Sequence, residues 1–369
     1  MTHDSGELDA LRSRIDEVDA HLLALLNERA ELSLAVGRFK AAEAGPIFRP
    51  ERERAVLERL AALSHGPLPA GHIRAIWREI FSSSRDLQRP RRVAFLGPEG
   101  THSHAAARAY FGTLMHYQPC RDFREIFASV SGGSCDLGVA PLENALHGTV
   151  GQCFDLFMEH EVFIQAEFIS PIRHCLLSRA TDLAAVRTVR SHPQALAQCE
   201  QWLRRNLPAA TLLPAESTAA AARLCLDDPD GASIGNESLS GLLPLRVLAA
   251  GIEDEANNQT RFVVIGATPP KQTTGNEPLR SSILFTLPDH PGALAEVLNL
   301  LARASINLHK LESRPSRQEP WKYAFFADLD IDLAAPEHAA ILRDLAAACH
   351  SLRLLGCYPP GRNERSDML

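Results

Sequence analysis

With 369 residues the chain is too long for one ordinary core, so two or three domains are expected. Its 45% hydrophobic and 22% charged residues are ordinary for a soluble globular protein, and a net charge of −7 argues against a general nucleic-acid binder. No apolar run nears the roughly 20 residues needed to cross a bilayer, and "MTHDSGELDALRSRIDEVDA" lacks the basic and apolar stretches of a signal peptide.

Eight cysteines are scattered singly, which indicates neither a zinc cage nor a disulfide framework. A cytoplasmic protein with reduced thiols is expected, without membrane or nucleic-acid partners.

Residues 6–88 are predicted helical. Leu8, Leu11, Ile15, Val18, Leu22, Leu25, Leu26, Leu32 and Val36 form a long apolar stripe, which Pro46 closes. Pro50 suits the first turn of a second helix, and a third covers about 71–88. One helix over residues 7–42 would span roughly 54 Å, more than so small a domain covers alone, so its stripe asks for a partner chain. Arg29 and Lys40 return to nearly one face about 16 Å apart, whereas Arg12 lies about 25 Å from Arg29 and joins them only from a second, antiparallel copy. Arg52 and Glu53 stand on the second helix, and Ser84 and Gln88 share a face of the third.

From Val93 the pattern changes to short strands, "VAFLG", "LGVAP", "TVRS" and "FVVIG", alternating with Ala-rich helical runs. This order predicts an α/β domain. Gly97, Gly100, Thr101 and Ser103 lie between a strand and a helix N-terminus, a natural anion cradle. Glu143 and Asn144 follow another strand, and Ser191 is the expected N-cap of the helix opened by "SHPQAL". His102 and His104 suggest a metal, yet no third ligand is evident, so no metal site is expected. The polar cluster Asn257, Asn258, Gln259, Thr260 and Arg261 stands at the entrance of the buried strand that begins at Phe262. A Pro/Gly-containing linker at 268–280 precedes a βαββαβ order of the ferredoxin-like kind.

Three resemblances follow from these motifs. "ALRSRIDEVDAHLLALLNERAELSLAVGRFK…RERAVLERL" resembles the all-helical chorismate mutase domain. The likeness implies that Arg12 of the partner chain, Arg29, Lys40 and Arg52 bind the substrate carboxylates and ether oxygen. It also implies that Glu53, Ser84 and Gln88 contact the hydroxyl and ether region. A pericyclic rearrangement needs no base, only a dianion held in its reactive conformer with donors at the oxygen that gains charge. Position 49 departs from the pattern, being Arg where some members carry an acid.

GPEGTxS, PLENxxxG, SHPQAL and TRF, in that order, resemble prephenate dehydratase, a fold of two α/β subdomains like a periplasmic binding protein. The resemblance implies that Thr260 donates or relays a proton to the departing hydroxide. It places Thr101, Ser103, Glu143, Asn144, Ser191, Arg261 and Phe262 at the substrate. Ala145 stands where a hydroxyl residue is usual, and Asn236 and Glu237 are weak candidates.

"DHPGALAEVL" and "LESRP" resemble the ACT domain. By that likeness Gly292, Ala293, Leu294, Glu312, Ser313 and Arg314 form a phenylalanine pocket between subunits.

The domains expected are 1–90 helical mutase, 91–268 dehydratase and 279–360 ACT. The implied protein converts chorismate to prephenate, then prephenate to phenylpyruvate, CO2 and water, under phenylalanine control. It would work as a homodimer or higher oligomer without cofactor. The alternatives are a dehydratase whose mutase domain survives only as a dimeriser, and a non-catalytic amino-acid sensor.

Overall fold

The computed structural model describes residues 5–42, 50–270, 278–315 and 323–361, without the side chains of 5, 6, 40–42, 50 and 51. Three helices come first: α1 (Ser5–Ala42), α2 (Pro50–Leu63) and α3 (Ala70–Gln88). Rich in Leu, Ala, Glu and Arg, α1 runs 38 residues without a break. Its one interior glycine serves close packing, since a Cβ at Gly37 would sit 2.8 Å from Gln88 Cγ on α3. Leu8, Leu11, Ile15, Val18, Leu22 and Leu25 are between 51% and 61% exposed, so the stripe stays uncovered within one chain.

The first α/β subdomain contains β1 (Arg92–Leu96), α4 (His102–Phe111), β2 (His116–Cys120), α5 (Phe123–Ser131) and β3 (Leu137–Asn144). The short β4 (Gly148–Thr149), α6 (Gly151–Glu159) and β5 (Phe163–Pro171) follow. The second contains β6 (Cys175–Ser178), β7 (Thr188–Ser191), α7 (Pro193–Gln198), α8 (Glu200–Asn206) and β8 (Thr211–Pro214). It continues through α9 (Thr218–Leu224), β9 (Gly231–Gly235), α10 (Leu239–Leu242) and β10 (Arg246–Ala250). The chain then returns to the first sheet as β11 (Gln259–Gly266), giving the orders β2-β1-β3-β11-β5 and β10-β6-β9-β7-β8. The helix opened by "SHPQAL" is followed at once by a second, the two parted at Cys199 (φ −119, ψ 14).

The final sheet, β13-β14-β12-β15, is antiparallel, and with its helices it realises the βαββαβ order. Its elements are β12 (Arg280–Thr286), α11 (Ala293–Arg303), β13 (Leu308–Pro315), β14 (Tyr323–Leu329), α12 (Ala339–Ala348) and β15 (Ser351–Tyr358). It shares a core with the first subdomain: Leu142, Phe154 and Ile164 belong to one buried cluster with Phe326, Leu355 and Tyr358. A Cβ at Gly356 would lie 2.2 Å from Ile164 O, so only glycine lets β15 lie against β5.

Candidate active site

The two α/β subdomains face each other across a cavity of about 420 Å³. Thr101, Ser103, Asn144, Asn258, Thr260 and Phe262 line it from the first. Gln194, Gln198 and Thr218 line it from the second, and His174 from the crossover between them.

The position of Thr260 follows from strand geometry. β11 pairs antiparallel with β3, Thr260 opposite Asn144 and Arg261 opposite Glu143; the register then shifts so that Phe262 meets Pro141. Proline cannot donate to a ladder and belongs at such irregularities. Side chains alternate along a strand, so Thr260 and Phe262 front the cleft while Arg261 points to the other side. Asn144 Nδ2 donates to Thr260 Oγ1 at 2.9 Å and to Asn258 Oδ1 at 2.8 Å. Because Thr260 accepts there, its own proton remains available to the cavity.

Several expected contacts are relocated. Arg261 is not a cleft residue: Nε donates to Glu167 Oε2 (2.6 Å) and Nη1 to Asp328 Oδ2 on β14 (2.6 Å). Burial opposes its charge, but Tyr358, Asp328 and Glu167 outweigh that and raise its pKa. Glu143 pairs with Lys310 Nζ on β13 at 2.9 Å. Ser191 is wholly buried and donates to Ile234 O (2.7 Å), and the helix cap expected of it falls to His192, whose Nδ1 accepts from Gln194 N. Thr101 caps α4, accepting from His104 N (3.2 Å) and donating to Leu96 O (2.8 Å). Asn236 donates to Gly100 O (2.7 Å), tying the glycine turn to the second subdomain, and Glu237 lines a neighbouring cavity.

The two histidines of the HxH diverge. His104 accepts from Gly100 N (3.1 Å) and stacks on Phe95, whereas His102 meets His174 edge-on with ring centroids 5.0 Å apart. Burial takes the His102 pKa down to about 3 and lowers that of His174. Among the described residues no three His, Cys, Asp or Glu are grouped to hold a metal ion.

A bridge across the cleft is not among the contacts expected from the motifs. His174 Nε2 meets Gln198 Oε1 (2.8 Å), and Gln198 Nε2 meets His147 Nε2 (2.7 Å). Its signal was a lone histidine between Arg173 and the apolar run of β6. Arg121 also went unassigned, yet it is the one guanidinium among the described lining residues.

In the helical segment Arg29 Nη1 donates to Ser84 Oγ (2.6 Å) and lies over the Phe81 ring; burial lowers its pKa, partly offset by Glu53. Gln88 Nε2 donates to Ser33 Oγ (2.6 Å). The Glu53 carboxylate, expected at the substrate hydroxyl, is engaged by Arg85 Nη1 at 2.5 Å. Arg85, 3% exposed and unanticipated, also donates to Phe111 O and so joins this segment to α4. Arg12 is exposed and holds Asp9 (3.3 Å), and Arg52 is exposed. Arg49 and the Lys40 side chain lie outside the described residues.

On the last sheet Gly292 (φ +91) caps α11, with Ala293 buried and Leu294 packed on the core. Glu312 and Arg314 turn to the first α/β subdomain: Glu312 Oε2 accepts from Thr149 Oγ1 (2.9 Å), and Arg314 Nε donates to Asp155 Oδ1 (3.0 Å). Ser313, between them on β13, is exposed.

A threonine-bearing strand at the mouth of a two-subdomain cleft, with a helical segment before it and a βαββαβ sheet after it, defines the class. Residues 93–270 match the family model of prephenate dehydratase, 11–89 that of chorismate mutase type II, and 281–347 that of the ACT domain. The bifunctional chorismate mutase/prephenate dehydratase of Aquifex aeolicus is 39% identical over 357 residues, 96% of this chain and 98% of the relative. The chain belongs to the bifunctional chorismate mutase/prephenate dehydratase family.

Among solved structures, prephenate dehydratase from Arthrobacter aurescens in complex with L-Phe is 31% identical with a TM-score of 0.66. The match covers 73% of this chain and 90% of that one. GqqA, described as a quorum quenching acylase, is 28% identical with a TM-score of 0.67, over 73% and 98% of the two chains. The backbone alone therefore does not name a reaction, and the site must do so.

Proposed function

We propose that this chain is a bifunctional enzyme of phenylalanine biosynthesis, in which residues 1–90 rearrange chorismate to prephenate and residues 91–268 convert prephenate to phenylpyruvate, CO2 and water. Residues 279–360 bind phenylalanine and lower the second activity. The observation that carries the dehydratase reading is the Asn144 Nδ2–Thr260 Oγ1 hydrogen bond of 2.9 Å, which aims a threonine proton into the cleft.

In that step the bond between the ring and its carboxylate breaks, and its electron pair enters the ring. The C4–oxygen bond then breaks towards oxygen, which takes a proton through Thr260 and leaves as water while CO2 departs. The ring becomes aromatic, so the residues have little to supply beyond orientation and that proton. With Arg261 turned away, the two carboxylates are met by Arg121, Ser103 and the first-turn amides of α4.

The mutase reading needs two copies of the chain. Arg29, Lys40, Arg52, Ser84 and Gln88 serve one site, to which the other copy brings Arg12, and the exposed stripe of α1 is what such a dimer would bury. The 312–314 run is read as the part of the ACT domain that meets phenylalanine at Ser313, beside Gly292–Leu294 of the dimer, and the dehydratase through Glu312 and Arg314. No described helix is long and apolar enough to cross a membrane, and the cytoplasm is the proposed compartment.

The experiment supplies purified protein with chorismate alone. Phenylpyruvate should accumulate, and Thr260→Ala should stop at prephenate with at least ~10²-fold slower dehydration. In a parallel assay supplied with prephenate, turnover there without turnover of chorismate would leave only the dehydratase, and turnover in neither assay would remove both activities.

A further inference from the structure

Arg261 leaves the cleft short of a donor that the motif promised, and a residue three positions earlier stands ready to donate. Asn258 is 1% exposed and lines the cavity with Thr260. Its orientation is set by a chain of amides. Leu146 N (3.1 Å) and His147 N (3.0 Å) donate to Asn144 Oδ1, so Asn144 Nδ2 must face Thr260 Oγ1 and Asn258 Oδ1. A reversed Asn258 would set two N–H groups against each other, so its Oδ1 faces Asn144 and its Nδ2 faces away. That Nδ2 is buried, and no hydrogen-bond partner meets it among the described residues. An unpaired buried donor costs about 1–3 kcal/mol, which a fold tolerates where a ligand brings the acceptor.

We propose that Asn258 is a catalytic residue of the dehydratase site, whose Nδ2 donates a hydrogen bond to the C4 oxygen of prephenate as that oxygen departs. The inference rests on the dehydratase reading and names a second donor for its leaving group. Asn258 transfers no proton. The carbon–oxygen electron pair goes to oxygen, the proton arrives through Thr260, and the amide stabilises the charge that builds between those events. Thr260 Oγ1 and Asn258 Oδ1 both accept from the one Asn144 amide, and both residues line the cavity that would hold the departing oxygen.

The test compares full-length wild type, Asn258→Asp and Asn258→Ala for prephenate turnover across pH, with chorismate turnover by the same preparations as the check on folding. Asn258→Asp keeps the oxygen that Asn144 needs and removes the donor. Its kcat is expected to fall on the order of 10²-fold near neutral pH with KM little changed. The deficit should shrink as pH falls and the new carboxyl regains an O–H. Arg121, His102, His174, His192 and Glu216 line the same cleft in all three proteins, so the ratio of variant to wild type isolates position 258.

A merely structural Asn258 would leave the aspartate protein at wild-type kcat at every pH, and that result overturns the proposal. A rise in KM with kcat unchanged overturns it as well. If the aspartate protein loses chorismate turnover too, Asn258→Ala decides: undiminished kcat sinks the proposal, and a fall of the same order without acid recovery supports it. A wild type that consumes chorismate but not prephenate would remove the dehydratase reading itself and this inference with it.

Discussion

Arg261 and Asp328 are held together at 2.6 Å, the carboxylate wholly buried and the guanidinium side chain 11% exposed. The pair joins the strand that carries Thr260 to a sheet 67 residues further along the chain. Adjacent rungs of the β3–β11 ladder divide the labour. Thr260 and Asn144 face the cleft, while Arg261 and Glu143 each meet an ACT residue, Asp328 and Lys310. Asp328→Ala should therefore leave Arg261 short of a buried partner and destabilise the dehydratase–ACT unit by about 3–5 kcal/mol. Guanidinium unfolding of the full chain measures this, and an unchanged midpoint would contradict it.

Arg314 spans the same interface through Asp155, with Nε–Oδ1 at 3.0 Å and Nη2–Oδ2 at 3.2 Å. Arg314→Ala should still bind phenylalanine, because it removes a link between domains rather than a contact with the amino acid. Inhibition of the dehydratase at saturating phenylalanine should nevertheless weaken, since an effector acts only through its difference in affinity between two states. Calorimetric titration and a rate assay on one preparation separate the two effects; lost binding would place Arg314 in the pocket instead.

Arg12 and Arg29 lie too far apart on α1 to share a site within one chain, roughly 25 Å along the helix. Arg12→Ala and Arg29→Ala, each inactive as mutase, should complement when mixed. Half the dimers are then mixed and half their sites intact, so roughly a quarter of wild-type activity returns. No recovery after subunit exchange, followed by mass spectrometry, would place both arginines in the same chain's site.

His102 and His174 sit below the ordinary imidazole pKa of 6.5, His102 at about 3, because burial disfavours their charged forms. The unfolded chain therefore binds protons before the folded one as pH drops below about 6.5. Stability should be level above that value and decline below it, by up to about 1.4 kcal/mol per pH unit for each group until its folded pKa is reached. Unfolding midpoints taken between about pH 7.5 and about pH 5 report this slope. His102→Phe, which keeps a ring against His174, should flatten it.

Much of the molecule was legible in its residue order. The helical stripe gave α1 its length, Pro50 marked the start of α2, and short strand-like runs, two of them stopped by Gly97 and Gly266, marked β1, β3, β7 and β11. These are local signals, since a helix or strand is read from spacings of two to four residues. The resemblance carried by the ordered motifs also implied that Thr260, Asn144 and Ser103 share one site.

What residue order did not settle is direction. Thr260 and Arg261 are neighbours in one motif, yet a strand sends successive side chains to opposite faces. Which face met the cleft was decided by the return of β11 between β3 and β5 and by the packing of the ACT sheet behind it. The same tertiary choices gave Glu53 to Arg85, Glu143 to Lys310 and Ser191 to the core, and left Asn258 with its donor unpaired among the described residues. Spacing determined which residues could act together; contacts between segments far apart in sequence decided which did, because only there are buried charges and amides matched or left unmatched.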